Sequence, residues 1–211
     1  MALVIGLNSG SSFDGIDVVL VEITEAADGH PARPKLIRGA SYDWPLPVAE
    51  IVLKAFENQI SLFEFNRLNY LAGAVYAECA RALMKEAGIK PGEVEVIGYD
   101  GQTIYQEPPI HSRLKNFDFD NNVVARWLDG PFACGLQIGE PSIVAEVCET
   151  PTVTQFRPMD HTLGGTGAPL MQYLDFVAFR DIGPILTLNI GGIANCHLAH
   201  ADRAKMMAFD T

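Results

Sequence analysis

Apolar positions along this chain fall into two spacings. Short aliphatic and β-branched runs, Leu3-Val4-Ile5 and Val18-Val19-Leu20-Val21, predict a pair of strands, and residues 35–42 predict a third that ends at Trp44-Pro45. Residues 48–57 predict a short helix. Ser61-Leu62-Phe63-Glu64 has the pattern of a capping box and predicts the start of a long one. Leu68, Leu71, Val75, Cys79 and Leu83 then return at helical spacing until Gly88, a stripe that predicts core. Residues 94–98 predict a buried strand that delivers Asp100-Gly101-Gln102-Thr103 at its C-terminal end, where α/β sheets place ligands. A helix over 142–148, a strand over 152–155 and a helix over 169–179 complete an α/β pattern. Gly183-Pro184 is the plausible hinge, so residues 1–184 read as one domain and 185–211 as the first hairpin of an incomplete second one.

Two glycine-rich stretches carry the candidate chemistry. In Phe156-Arg157-Pro158-Met159-Asp160-His161-Thr162-Leu163-Gly164-Gly165-Thr166-Gly167-Ala168-Pro169, an arginine and an aspartate precede three glycines in four positions. Glycines let backbone N–H groups approach a ligand closely, and a helix opening behind them at Pro169 would favour negative charge. Asp160 then reads as a carboxylate beside an anion cradle, placed to activate water or a hydroxyl, and Arg157 as a partner for substrate charge or for a salt bridge. The second stretch is the turn between the first two strands, Gly10-Ser11-Ser12-Phe13-Asp14-Gly15-Ile16-Asp17. Its hydroxyls and amides suit phosphate oxygens, and Asp14 or Asp17 suits a magnesium ion, although the same residues also favour an ordinary turn. It lacks the Gly-Lys-Ser/Thr of a P-loop.

A similar unit recurs at 185–195, where an apolar strand runs into Gly191-Gly192. Two strand–glycine–strand units match the layout of the actin-like, sugar-kinase and Hsp70 ATPase superfamily. The resemblance then narrows. Residues 6–17, Gly-Leu-Asn-Ser-Gly-Ser-Ser-Phe-Asp-Gly-Ile-Asp, resemble the opening signature of the anhydro-N-acetylmuramic acid kinase family. Asp100-Gly101-Gln102-Thr103-Ile104, Leu136-Gln137-Ile138-Gly139-Glu140-Pro141, the 156–170 stretch, Asn189 to Asn195 and Phe209-Asp210-Thr211 resemble its later motifs in the same order.

The resemblance implies a ribonuclease H-like domain with a mixed sheet flanked by helices. It also implies an ATP-dependent kinase that opens the 1,6-anhydro ring of anhydro-N-acetylmuramic acid with water and phosphorylates the freed 6-oxygen, with ATP and Mg2+ as cofactors. On that reading Asp160 is the catalytic base. Gly10, Ser11, Ser12, Phe13, Asp14, Gly15, Ile16, Asp17, Gly191 and Gly192 hold nucleotide, and Gln102, Thr103, Gln137, Arg157, Gly165 and Gly167 face the sugar. The sequence departs from the family pattern at Asn8, Asp100, Gln106, Thr162 and Thr166, and is longer between Pro109 and Leu136. Phosphotransfer is therefore the firmer expectation and the exact sugar the weaker. Family members continue beyond Phe-Asp-Thr, so the chain reads as an N-terminal portion, inactive by itself.

Composition restricts the alternatives. A net charge of −11 disfavours nucleic acid and anionic membranes as partners, and 48% hydrophobic residues are enough for a core. No apolar run reaches the ~20 residues of a bilayer span, and a cytoplasmic protein is expected, with a homodimer as one option. Cys79, Cys134, Cys148 and Cys196 show no metal spacing and read as buried free thiols; no metal ligand set is predicted. A non-catalytic sugar- or nucleotide-binding module, a kinase of a related anhydro-sugar, and a hydrolase using Asp160 with a second carboxylate remain the competing readings.

Overall fold

Strand β1, Ala2–Asn8, folds back as β2, Ile16–Ile23, in antiparallel register from Ala2↔Ile23 to Asn8↔Asp17. Alternation decides which face is buried. Ile16, Val18 and Leu20 are fully buried, whereas Asp17 and Val19 between them are exposed. β3, Lys35–Tyr42, adds antiparallel to the far side of β2, with a register shift between Leu20 and Val21. The computed structural model describes residues 1–107, 124, 133–163, 165–191 and 194–210, so the longer segment expected near 116–122 lies outside the described residues.

Three helices cover the inner face of this sheet: α1, Leu46–Phe56; α2, Leu62–Ala87; and α3, Pro141–Cys148. The capping box of α2 is present in full, with Glu64 N–H donating to Ser61 Oγ at 3.3 Å and Ser61 N–H to Glu64 Oε2 at 2.7 Å. Gly88, in the left-handed conformation, ends the helix. Leu68, Val75, Cys79 and Leu83 are buried as the stripe predicts, but Leu71 is 40% exposed because Ala72 takes its place against the core.

β4, Val96–Tyr99, lies parallel to β1. β5, Gln102–Glu107, and β6, Cys134–Ile138, form a separate antiparallel ribbon. β7, Thr152–Val153, runs parallel to β4 but is shorter than expected, because Gln155 already adopts a left-handed conformation (φ 63°) and turns the chain away. The main sheet therefore has the order β3-β2-β1-β4-β7, three antiparallel strands followed by two parallel crossovers. That is the ribonuclease H-like order.

Two helices follow, α4, Phe156–Thr162, and α5, Gln172–Phe179. Next come β8, Ile185–Ile190, β9, Ala194–Ala199, and β10, Met207–Asp210. They form a sheet of their own in the order β10-β9-β8, a meander rather than the expected hairpin. Register puts Leu186, Leu188, Ile190, Met207 and Phe209 on one face, and all five are exposed. The other face meets α5, where buried Asp175 accepts from Thr187 Oγ1 at 3.1 Å and pairs with buried His197 Nδ1 at 2.7 Å. Among the described residues no helix is long and apolar enough to cross a membrane.

Candidate functional site

β1, β4 and β7 are parallel, so their C-terminal ends share one edge of the sheet. The chain leaves that edge three times: as the turn 9–15, as Asp100-Gly101, and as the lead into α4. Residues far apart in sequence meet there.

Asp160 sits in the last turn of α4, a short helix that tolerates Pro158 because a proline in the first turn removes no helical bond. Gly165 N–H closes onto the Asp160 carbonyl at 2.8 Å, and Gly167 N–H donates to Asp160 Oδ2 at 2.7 Å. A β-carbon at Gly165 would overlap the Asp160 carboxylate; one at Gly167, where φ is +70°, would overlap the His161 ring. Here the expected arrangement needs correction. Asp160 precedes the glycines as the sequence has it, but it lies on a helix, and the Gly167 amide is taken up by the Asp160 carboxylate. Pro169 opens no helix either: α5 starts at Gln172, with Met171 supplying no side-chain cap.

Arg157 is committed to a salt bridge. Its Nε donates to Asp100 Oδ2 and its Nη1 to the Gly167 carbonyl at 3.1 Å. Asp100 Oδ1 accepts Phe156 N–H at 3.0 Å. The charge expected to face a substrate is thus offset by the carboxylate standing at a position where the sequence departs from the family motif.

Gln102 is fully buried, and its amide braces the first turn rather than facing open space. Its Oε1 accepts from Ser9 Oγ at 2.6 Å, while its Nε2 donates to the Gly10 and Thr103 carbonyls at 3.3 and 3.1 Å. Trp44 Nε1 donates to the same Ser9 oxygen at 3.2 Å. Beyond this strut Ser11, Ser12 and Asp14 are exposed, and Ser12 Oγ donates to Asp14 Oδ1 at 3.0 Å. The turn closes by Phe13 N–H to the Gly10 carbonyl at 3.1 Å. Its left-handed residue is Phe13 (φ 54°), held by ring packing on Trp44 and Phe56. Gly15 follows that turn. Ile16 is core, and Asp17 accepts from Ser41 across the strand pair.

Thr103 and Gln137 face each other across β5 and β6. Gln137 is buried with both side-chain polar atoms unpartnered among the described residues, and so is Gln106 Oε1. Gln106 Nε2 lies 3.0 Å from His161 Nε2 and donates to the Thr166 carbonyl at 2.8 Å. Buried amide groups without partners are costly, and a polar ligand with hydroxyl or amide groups would satisfy them. The sequence reading missed Ser9 and Trp44, which brace Gln102 and the first turn, whereas Gln106 stood among the expected pocket positions and His161 beside Asp160. The signal available was that Ser9 falls within the 6–17 motif.

The remaining site expectations separate. Gly191 follows β8 in the second sheet, and Gly192 lies outside the described residues. Among the described residues no three His, Cys, Asp or Glu side chains are grouped to hold a metal. Cys79 and Cys148 are buried as expected, and burial raises both thiols to a pKa of about 11. Cys134 is exposed and Cys196 half-buried, because strands β6 and β9 each present that position toward an uncovered face.

Fold and site together define a ribonuclease H-like domain with a glycine-held carboxylate and a braced polar turn at the carboxyl edge of its sheet. The family profile described as "Anhydro-N-acetylmuramic acid kinase" matches residues 2–125 and 120–211. The chain belongs to that family. A relative named anhydro-N-acetylmuramic acid kinase from Caldanaerobacter subterraneus is 34% identical over 213 residues, covering 99% of this chain and 50% of the relative. Namesakes from Gloeobacter violaceus and Vibrio vulnificus are 31% and 30% identical, again over 99% of this chain and 51% and 50% of their own lengths. The chain therefore spans about half the length of the curated relatives it matches. Superposition on YeaZ from Pseudomonas aeruginosa covers all of this chain and 67% of that one, at TM-score 0.33 and 11% identity. The fold assignment rests on the strand order and not on that superposition.

Proposed function

We propose that this chain carries the sugar-binding and base-bearing half of an ATP-dependent kinase for 1,6-anhydro-N-acetylmuramic acid. The observation that supports it most is the Asp160 carboxylate, fixed by Gly167 N–H at 2.7 Å and seated over Gly165, on the same helix as His161 and its contact to Gln106. In the reaction Asp160 takes a proton from water as the water oxygen bonds to the anomeric carbon. The bond from that carbon to O6 breaks, and O6 attacks the γ-phosphorus, releasing ADP. Most of the rate in such a transfer comes from positioning and charge, with one carboxylate orienting the nucleophile.

Gln137, Gln106 and Thr103 are the groups we assign to the sugar, because unpartnered buried amides suit hydroxyl and acetamido groups. The exposed turn Ser11-Ser12-Asp14 is assigned to ATP phosphate. Mg2+, when bound with ATP, would offset phosphate charge. Asp14 and Asp17 are the available carboxylates, and with no preformed cluster the ion would take most of its ligands from phosphate and water. A need for ATP supports a cytoplasmic reaction, and the net charge of −11 disfavours nucleic acid and anionic membranes as partners. The exposed apolar face of β8–β10 supports a homodimer as a further reading, to be checked by sedimentation of the chain at several concentrations.

Asp160→Asn is the decisive variant. Made in the complete kinase, it keeps the shape and removes the base, so turnover should fall by ~10²–10⁴-fold with sugar binding by calorimetry unchanged. Unchanged turnover would assign Asp160 a structural role. A substrate panel of anhydro-sugars and simple hexoses separates the named sugar from a relative, since Gln106 and Thr166 change the wall of the same pocket.

A further inference from the structure

We propose that Asp100 is the positioning residue that holds Asp160, acting through Arg157 and the Gly167 peptides; this rests on Asp160 being the base.

The circuit is continuous. Asp100 stands at the C-terminal end of β4, immediately after Tyr99, which is buried in the core of the main sheet. One carboxylate oxygen accepts Phe156 N–H at 3.0 Å, and the other accepts Arg157 Nε. The same guanidinium donates through Nη1 to the Gly167 carbonyl at 3.1 Å, and Gly167 N–H donates to Asp160 Oδ2 at 2.7 Å. Gly167 is thus pinned on both sides, its carbonyl by Arg157 and its amide by Asp160.

Two features make Asp100 the origin of this circuit. The N-cap residue of α4, Gln155, supplies no side-chain cap, so the orphan N–H at Phe156 is satisfied from another strand by Asp100. Arg157 and Asp100 side chains are only 22% and 14% exposed, so the pair is shielded and its geometry is well defined. Asp100 also keeps the guanidinium occupied. Without that partner Arg157 would be free to swing toward the Asp160 carboxylate, one helical turn away, and neutralise it. The loop that seats Asp160 is therefore registered against the main sheet by a carboxylate that touches neither substrate nor base.

Hydrogen exchange in the 211-residue chain tests this without any assay of activity. Asp100→Asn keeps size and one acceptor but loses the charge that holds Arg157. Exchange of the Gly167 amide should accelerate about tenfold or more, with the amides of β1 and β4 unchanged, and Asp100→Glu should recover part of the protection. Should Asp100→Asn fail to fold, Arg157→Lys breaks the next link, since an ammonium cannot reach both Asp100 and the Gly167 carbonyl, and the same acceleration is expected. Unchanged protection at Gly167, or a loss shared equally by β1 and β4, overturns the proposal.

Kinetics supply the second arm. In the complete kinase that contains this half, Asp100→Asn should lower kcat at least tenfold while the sugar KM stays within about twofold. If Asp160→Asn is inactive and Asp100→Asn turns over like the parent, the proposal falls and the base reading stands. If Asp160→Asn itself stays active, the base reading falls, and with it the catalytic consequence of Asp100.

Discussion

Asp160 and a β-carbon at position 165 cannot share the space they would both occupy. Gly165→Ala is therefore expected to push the carboxylate off the Gly167 amide. Turnover should drop by an amount approaching that of Asp160→Asn, while global stability changes little in this partly exposed loop. Urea denaturation alongside a turnover assay distinguishes that outcome from simple unfolding. Gln102 behaves differently. Its side chain is fully buried and satisfies both the Ser9 hydroxyl and the Gly10 carbonyl. Gln102→Ala should leave those groups orphaned at a cost of roughly 1–3 kcal/mol, read as a lower urea midpoint. It should also weaken ATP more than sugar, because the strut holds the first turn. Equal loss of both affinities would contradict that role.

At the scale of elements, α2 and the second sheet are held by different means. α2 depends on its own ends and stripe, so Ser61→Ala, which removes the capping box, should cost about 0.5–2 kcal/mol by denaturant titration. The β8–β10 sheet exposes its apolar face and meets α5 through Asp175, His197 and Thr187. Asp175→Ala should leave β1–β4 exchange rates intact while those of β8–β10 rise, because the loss is confined to one interface. Uniform acceleration across both sheets would show a single cooperative unit. The strand pattern and the long helix were legible because periodicity and caps are local signals. β10 and the true extent of α4 were not: a short strand is stabilised by its neighbour, and α4 by a carboxylate from another strand.

For the whole molecule, the buried thiols set a response to alkali. Cys79 and Cys148 are raised from 9.0 to about 11 in the fold. The unfolded chain loses these protons first, so their contribution to stability is complete below pH 9 and is lost as pH rises from 9 to about 11. Burial also raises Tyr76 and Tyr99, which adds a loss of the same sign at higher pH. The melting temperature should fall steeply over this window, and a Cys79→Ala, Cys148→Ala double variant should fall less steeply. A native-state thiol titration should reach Cys134 and Cys196 and spare the buried pair.

The sequence by itself determined the class of fold, the order of its main strands and helices, the family, and the residue types gathered at the site, because patterning and short motifs act within a few positions. It could not decide what each polar group faces. Whether Arg157 meets a ligand or Asp100, and whether Gln102 meets sugar or Gly10, depend on partners dozens of residues away. Only the parallel register of β1, β4 and β7 brings those partners to one edge, and hydrogen bonds there form between whatever groups the chain crossings set within 3 Å or so of one another.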